Sequence, residues 1–114
     1  MDEGLDTGGI LDQVEIPILK NENATSLYEK VNAAHVELIK RIWPKLIEDM
    51  IIGVKQVESL ASYWEGRTPT DGEMTFAMPV LEAEKLIRAS TRPYPGAYIL
   101  LNENSKLIIW GGSI

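Results

Sequence analysis

The chain has 114 residues, 45 % hydrophobic and 25 % charged, which suits one small globular domain and excludes general disorder. Its net charge is −6 and no basic cluster stands out, which argues against a nucleic-acid surface in this stretch. With no cysteine and a single histidine, His35, it excludes disulfide scaffolds, thiol catalysis and thiolate or histidine-rich metal sites. No secretory leader pattern opens the chain and no apolar run reaches the ~18 residues of a membrane span, so the expectation is a soluble cytoplasmic protein with no membrane contact.

Residues 1–9, MDEGLDTGG, read as an acidic loop whose glycines permit sharp turns. Residues 10–19 alternate in part, with Ile10, Val14, Ile16 and Ile18 apolar, and predict a strand that Pro17 ends near a sheet edge. KNENA, 20–24, is turn material. Ser26 and Glu29 fit a capping box, with Thr25 as a rival N-cap, and predict the start of a long amphipathic helix. Its apolar residues recur at Leu27, Val31, Ala34, Leu38 and Ile42, and again at Ile39, Trp43, Leu46 and Met50. Pro44 predicts a kink near residues 40–44 or a split into two helices, and Gly53 predicts the end of the run.

Residues 54–64 suit a short strand or an extended crossing segment. Residues 65–76, EGRTPTDGEMTF, carry Gly66, Pro69, Asp71 and Gly72 and predict a long loop, and long ordered loops are more often functional than short ones. Pro79 suits N1 of a second helix over 79–91, with Val80, Ala83, Leu86, Ile87 and Ser90 on one side. Pro93 and Pro95 stop it. AYILLNENSKLIIW then predicts a terminal β-hairpin about a turn from Asn102 to Ser105.

Three stretches in this order carry a resemblance: GLDTGGIL (4–11), GRTPTDGEMTF (66–76) and IRASTRPYPGAY (87–98), followed by a hairpin ending KLIIW (106–110). Together they resemble the second half of the catalytic domain of the folate-dependent formyltransferases. That family includes methionyl-tRNA formyltransferase, glycinamide ribonucleotide formyltransferase and the amino-sugar N-formyltransferases. The glycine–aspartate loop is a common pattern by itself. RPYPGAY after a helix is far more specific. The resemblance runs over nearly the whole chain, 4–111, so residues 1–114 read as a partial formyltransferase catalytic domain. The implied fold is α/β, the C-terminal portion of a Rossmann-like domain: strand, long kinked helix, loop, second helix, hairpin.

The resemblance also implies roles. Asp6 matches the aspartate of an Asn–His–Asp catalytic constellation. Asp2, Glu3, Gly4, Leu5 and Asp6 match the loop that meets the pterin end of 10-formyltetrahydrofolate, the formyl donor, largely through backbone groups. In the family the asparagine and histidine hold the oxyanion while the aspartate pairs with the histidine, orders a water and helps take the amine's proton. Those two residues belong to a motif upstream of residue 1. His35, mid-helix, matches no catalytic position and reads as a solvated or packing histidine. The chain by itself is therefore expected to be inactive.

Other residues stay open between roles. Asp6 taken alone is an ordinary turn aspartate. Arg67 is either a surface arginine of a turn or a substrate-side group that forks onto a phosphate. Tyr94 sits in a rigid Pro93–Gly96 corner and could line a site. Trp43, Trp64 and Trp110 read as packing residues, with base stacking the lesser reading for Trp64. Amino-sugar formyltransferases often read R-T-P-x-D-G where this chain has Arg67 to Gly72, whereas methionyl-tRNA formyltransferases more often read K-x-x-x-E-x. The expected acceptor is thus a nucleotide-linked amino sugar, with methionyl-tRNA as the alternative and no metal required. A non-catalytic fragment or subunit is the reading from another class. Apolar faces left without a sheet would then drive self-association or binding of a complementary chain.

Overall fold

Asn23 starts the long helix α1, Ala24–Ile47. Its carboxamide oxygen accepts the Ser26 N–H at 2.9 Å, and Ser26 Oγ in turn accepts the Asn23 N–H at 3.3 Å. The reciprocal cap is therefore set three residues ahead of the expected one, with Ser26 at N3 and neither Ser26 nor Thr25 at the N-cap. In this computed structural model, which describes residues 6–114, α1 runs unbroken through Pro44. The expected split does not occur. Pro44 removes only the one donor that would reach the Lys40 carbonyl, at an exposed part of the helix. Nor does Gly53 end the helix. Asp49 takes a left-handed backbone, φ 52°, and bonds join Met50 N–H to Lys45 O (2.9 Å) and Asp49 N–H to Leu46 O (3.2 Å). That is a Schellman stop with aspartate where glycine is usual.

The chain divides into two compact units, one of residues 1–17 and 30–65, the other of 18–29 and 66–114. In the first, the expected strand over 10–19 is absent. Ile10 makes a single antiparallel bridge with Val54, closed by two backbone bonds of 2.9 Å, and the rest of the stretch has no strand partner. Its alternation survives in exposure, since Ile10, Val14 and Ile16 are half-buried between exposed neighbours. Arg41 adds an ion pair to Asp12 at 3.1 Å and donates to the Gln13 carbonyl at 3.2 Å. Residues 54–64 hold that bridge and a short 3-10 turn, Glu58–Leu60.

The second unit carries the sheet. Its strands are β1 (Glu73–Met74), β2 (Ala97–Asn102) and β3 (Ser105–Ile109), in that spatial order. β1 runs parallel to β2 with Glu73 opposite Tyr98, and β2 and β3 form the expected antiparallel hairpin, with Ala97 opposite Ile109. Asn102 Oδ1 accepts the Asn104 N–H at 2.9 Å and shapes the two-residue turn. Met74, Ala97 and Tyr98 are buried, and Tyr98 reaches Glu73 Oε2 at 3.3 Å. Burial, then the Glu73 charge, raises the Tyr98 phenol above its ordinary range. Helix α2, Val80–Ser90, has Pro79 as its N-cap rather than at N1. Ala83, Leu86, Ile87 and Ser90 are half-buried at the expected three- and four-residue spacing. Arg88 pairs with Glu84 and donates to the Glu22 carbonyl at 2.7 Å. Among the described residues no helix is long and apolar enough to cross a membrane.

Candidate functional site

Two of the singled-out motifs meet in one cavity of the second unit. GRTPTDG forms one wall and the Tyr94–Pro95–Gly96 corner the facing one, around 460 Å³. Leu86, Ala89 and Ser90 of α2 line it from the helix side, at the i, i+3, i+4 spacing that puts them on one face. The volume falls in the range of small-molecule sites.

Two glycines let the walls approach. A β-carbon on Gly72 would lie 2.8 Å from the Gly96 carbonyl oxygen, so the two backbones touch there. Gly96 has φ +90°, and a β-carbon on it would lie 2.7 Å from Ile108 Cγ2 of β3. This contact immediately precedes the register in which β1 lies beside β2. The corner is also tied to the end of α2: Gly96 N–H donates to Ser90 O at 2.9 Å and Tyr94 N–H to Thr91 O at 3.1 Å. The Arg92–Pro93 peptide bond is cis. Buried Thr91 donates its hydroxyl to Trp110 O at 3.0 Å, and the Arg92 guanidinium lies 4.9 Å from the centroid of the Trp110 ring.

The expected loop over 65–76 is partly regular: Pro69–Gly72 is a 3-10 turn and Glu73–Met74 the strand β1. Asp71 organises the turn. Its Oδ2 accepts the Thr68 N–H at 2.5 Å and the Thr68 hydroxyl at 3.1 Å. The Thr68 N–H first, then that hydroxyl, hold the Asp71 carboxyl below the usual carboxylate range. Arg67 stands off at 4.0 Å from Asp71 Oδ1, and its side chain is 80 % exposed. Tyr94 is half-exposed on the opposite wall. Arg67 and Tyr94, picked out separately in the sequence, thus line the same cavity.

Asp6 belongs to the other unit. Its backbone is left-handed, φ 57°, and its residue is exposed. Gln56 Nε2 donates to the carbonyls of Asp6 (2.8 Å) and Gly8 (2.7 Å) and so clamps the turn. Just beyond, Gly9 and Gly53 meet backbone to backbone. A β-carbon on Gly9 would lie 3.2 Å from Gly53 Cα. Asp2, Glu3, Gly4 and Leu5, expected to line the donor site with Asp6, lie outside the described residues. His35 is exposed on α1, and the described residues contain no cluster of acids and histidine that could hold a metal.

Solved structures share this fold. A 4-N formyltransferase from Francisella tularensis matches with a TM-score of 0.77 and 24 % identity, covering 96 % of this chain and 46 % of that one. The fold is that of a formyltransferase's C-terminal part. A sugar N-formyltransferase from a Shewanella species gives a TM-score of 0.71 at 24 % identity, over 96 % of this chain and 46 % of that one. Methionyl-tRNA formyltransferase from Clostridium thermocellum gives 0.58 at 18 % identity, over 96 % and 51 %. The chain spans about half the length of these formyltransferases. No family model matches the sequence.

Within the formyltransferase fold, sequence reasoning overlooked Gln56, Asp71 and the Gly72–Gly96 contact. A Gln fifty residues from the turn it clamps leaves no local signal. Asp71 did leave one, a threonine three residues before an aspartate, which is the spacing of a capping pair. The tryptophan reading is corrected in part: Trp43 and Trp64 are exposed, Trp64 at 88 %, whereas the Trp110 ring packs against the Arg92 guanidinium and Gly96.

Proposed function

We propose that this chain is part of a folate-dependent formyltransferase acting on the primary amine of a nucleotide-linked amino sugar, in the cytoplasm. The observation that carries this reading is the Asp6 turn, fixed through Gln56 while the aspartate itself is exposed, in a fold shared with formyltransferases. A clamped backbone with an accessible acid is the arrangement a positioned proton acceptor needs. The acceptor assignment rests on Arg67-Thr-Pro-Thr-Asp-Gly72 and on the net charge of −6, which disfavours tRNA.

The described part of the loop fits the donor in its chemistry: one acid and a left-handed turn joined to a glycine-on-glycine contact, which lets a flat group approach main chain closely. When bound, 10-formyltetrahydrofolate supplies the formyl carbon that the amine attacks. Asp6 would hold a histidine contributed by the rest of the fold in its protonated form, and Asp6 Oδ would receive, through a water, the proton leaving the amine. Asp6 has neither an oxyanion donor nor a histidine beside it in its own turn. Turnover therefore requires the portion of the fold this chain does not span.

The apolar residues exposed on 30–65 support the same conclusion. Ile39, Trp43, Ile52, Leu60 and Trp64 are exposed together in one unit, and they are the surface a complementary half, or a second copy, would cover.

The test is reconstitution. The chain is combined with the complementary half of a formyltransferase carrying the Asn-x-His motif, and formyl transfer is followed with a nucleotide-linked amino sugar or methionyl-tRNA as acceptor. Transfer to the sugar, reduced about 10²–10⁴-fold in kcat by Asp6→Asn, is the expected result. Full turnover by the Asn variant refutes the role of Asp6, and preference for methionyl-tRNA refutes the acceptor.

A further inference from the structure

The cavity between the Arg67 turn and the Tyr94 corner is built entirely from residues of one unit, so it does not depend on the Asp6 turn. Its chemistry is two-sided. The interior is apolar, with Leu86, Ala89, Pro69 and Pro95 around a floor of glycine main chain. The rim carries one cation. Among the described residues the Arg67 guanidinium makes no hydrogen bond, and its nearest acid oxygen is 4.0 Å away. Asp71 keeps its charge, but at 4.0 Å it takes none of the guanidinium's donors, and its Oδ2 is engaged by Thr68. An arginine keeps five donors in a planar fork, which matches phosphate oxygens in pairs. Across from it, Tyr94 presents a half-exposed ring whose main chain is held by the prolines on either side and by the bond to Thr91.

A ligand that satisfies both sides is flat and apolar at one end and multiply anionic at the other. We infer that this cavity is a docking site for a nucleoside diphosphate, with Arg67 on the phosphates and Tyr94 stacked on the base. The inference rests on the acceptor proposed above, since a nucleotide-linked sugar carries such a group. It adds that the nucleotide end is recognised by this unit, without the formyl donor and without the remaining half of the fold. A cavity of 460 Å³ with few polar groups suits the base better than a second sugar, whose hydroxyls would lack partners on Leu86, Ala89 and the prolines. Stacking on an aromatic tolerates any base, so Arg67 and Tyr94 select for a nucleotide rather than for one particular base.

The experiment is a calorimetric or NMR titration of the chain as it exists with uridine diphosphate, thymidine diphosphate, uridine and inorganic pyrophosphate. The diphosphates are expected to bind at least about tenfold more tightly than uridine or pyrophosphate, each of which offers only one end. Arg67→Ala is expected to erase the advantage over uridine, and Tyr94→Ala the advantage over pyrophosphate. Amide shifts should gather on residues 67–72, 86–90 and 94–96. Because Arg67 is exposed, its variant keeps the wild-type melting temperature, and this separates lost binding from lost folding. Equal affinity for pyrophosphate and diphosphate, or diphosphate binding untouched by Arg67→Ala, overturns the site, as does absence of binding up to about 1 mM. If the nucleotide binds as described while the reconstituted pair transfers no formyl group, the proposed activity falls and the site stands. If formyl transfer proceeds and Arg67→Ala leaves nucleotide affinity unchanged, only the site falls.

Discussion

Residues 66–114 and residues 30–65 are both rich in apolar residues and opposite in what they bury. The first stretch buries Met74, Ala97 and Tyr98 of its sheet, at 4 %, 0 % and 8 % exposure. The second buries only Ala34, at 9 %, and leaves Ile52 at 91 % and Leu60 at 81 %. The helix α1 shows the contrast along its own length. Of its two apolar stripes, Val31, Ala34, Leu38 and Ile42 are covered in part or fully, whereas Ile39, Trp43 and Leu46 remain exposed. One region closes its core with strands and a helix near it in sequence. The other presents an apolar face that the chain itself does not cover. The division teaches that the Arg67–Tyr94 cavity and the Asp6 turn stand on unequal foundations, the first within a unit that buries a core and the second within one whose apolar residues stay largely exposed.

The contrast is broken most severely at Gly96. Gly96→Ala places a methyl 2.7 Å from Ile108 Cγ2 and imposes a side chain at φ +90°. An overpacked contact and an unfavourable backbone angle together cost about 2–5 kcal/mol. Native-state hydrogen exchange should show the amides of β2 and β3 losing protection by that amount. The next effect is on association. Ile39→Glu with Trp43→Glu should leave stability within about 0.5 kcal/mol, because both positions are exposed. The same pair should weaken binding of the complementary half by at least about tenfold, as expected where even one apolar side chain is otherwise buried. A denaturant melt reads the first effect, and titration of the two halves the second. The mildest change is Asn23→Ala, which removes the N-cap of α1 and should cost about 1 kcal/mol in a denaturant melt.

These regions were also unequally legible in the sequence. The hairpin could be read because alternation in AYILLN and SKLII flanks a polar turn, and both signals are local. The long helix was clear from its spacing, but its limits were not. Ser26 and Glu29 matched a familiar cap, while the structure uses Asn23. Gly53 looked like the stop, while Asp49 accepts the left-handed angle that ends the helix. The strand expected over 10–19 has the right alternation without a neighbouring strand. Only Ile10 finds a partner, and periodicity alone cannot supply one. For the candidate sites, Asp6, Arg67 and Tyr94 stood out as residues. That Arg67 and Tyr94 share a cavity depends on the Gly72–Gly96 approach, a contact across twenty-four positions of chain that no local pattern announces.

The glycine floor has a consequence for how such a pocket can change through evolution. Where main chain meets main chain, substitution has almost no room to work, so the depth and shape of the recess are effectively inherited. Diversity of ligand must then arise at the brim, where position 67 and position 94 can be exchanged without disturbing the sheet beneath.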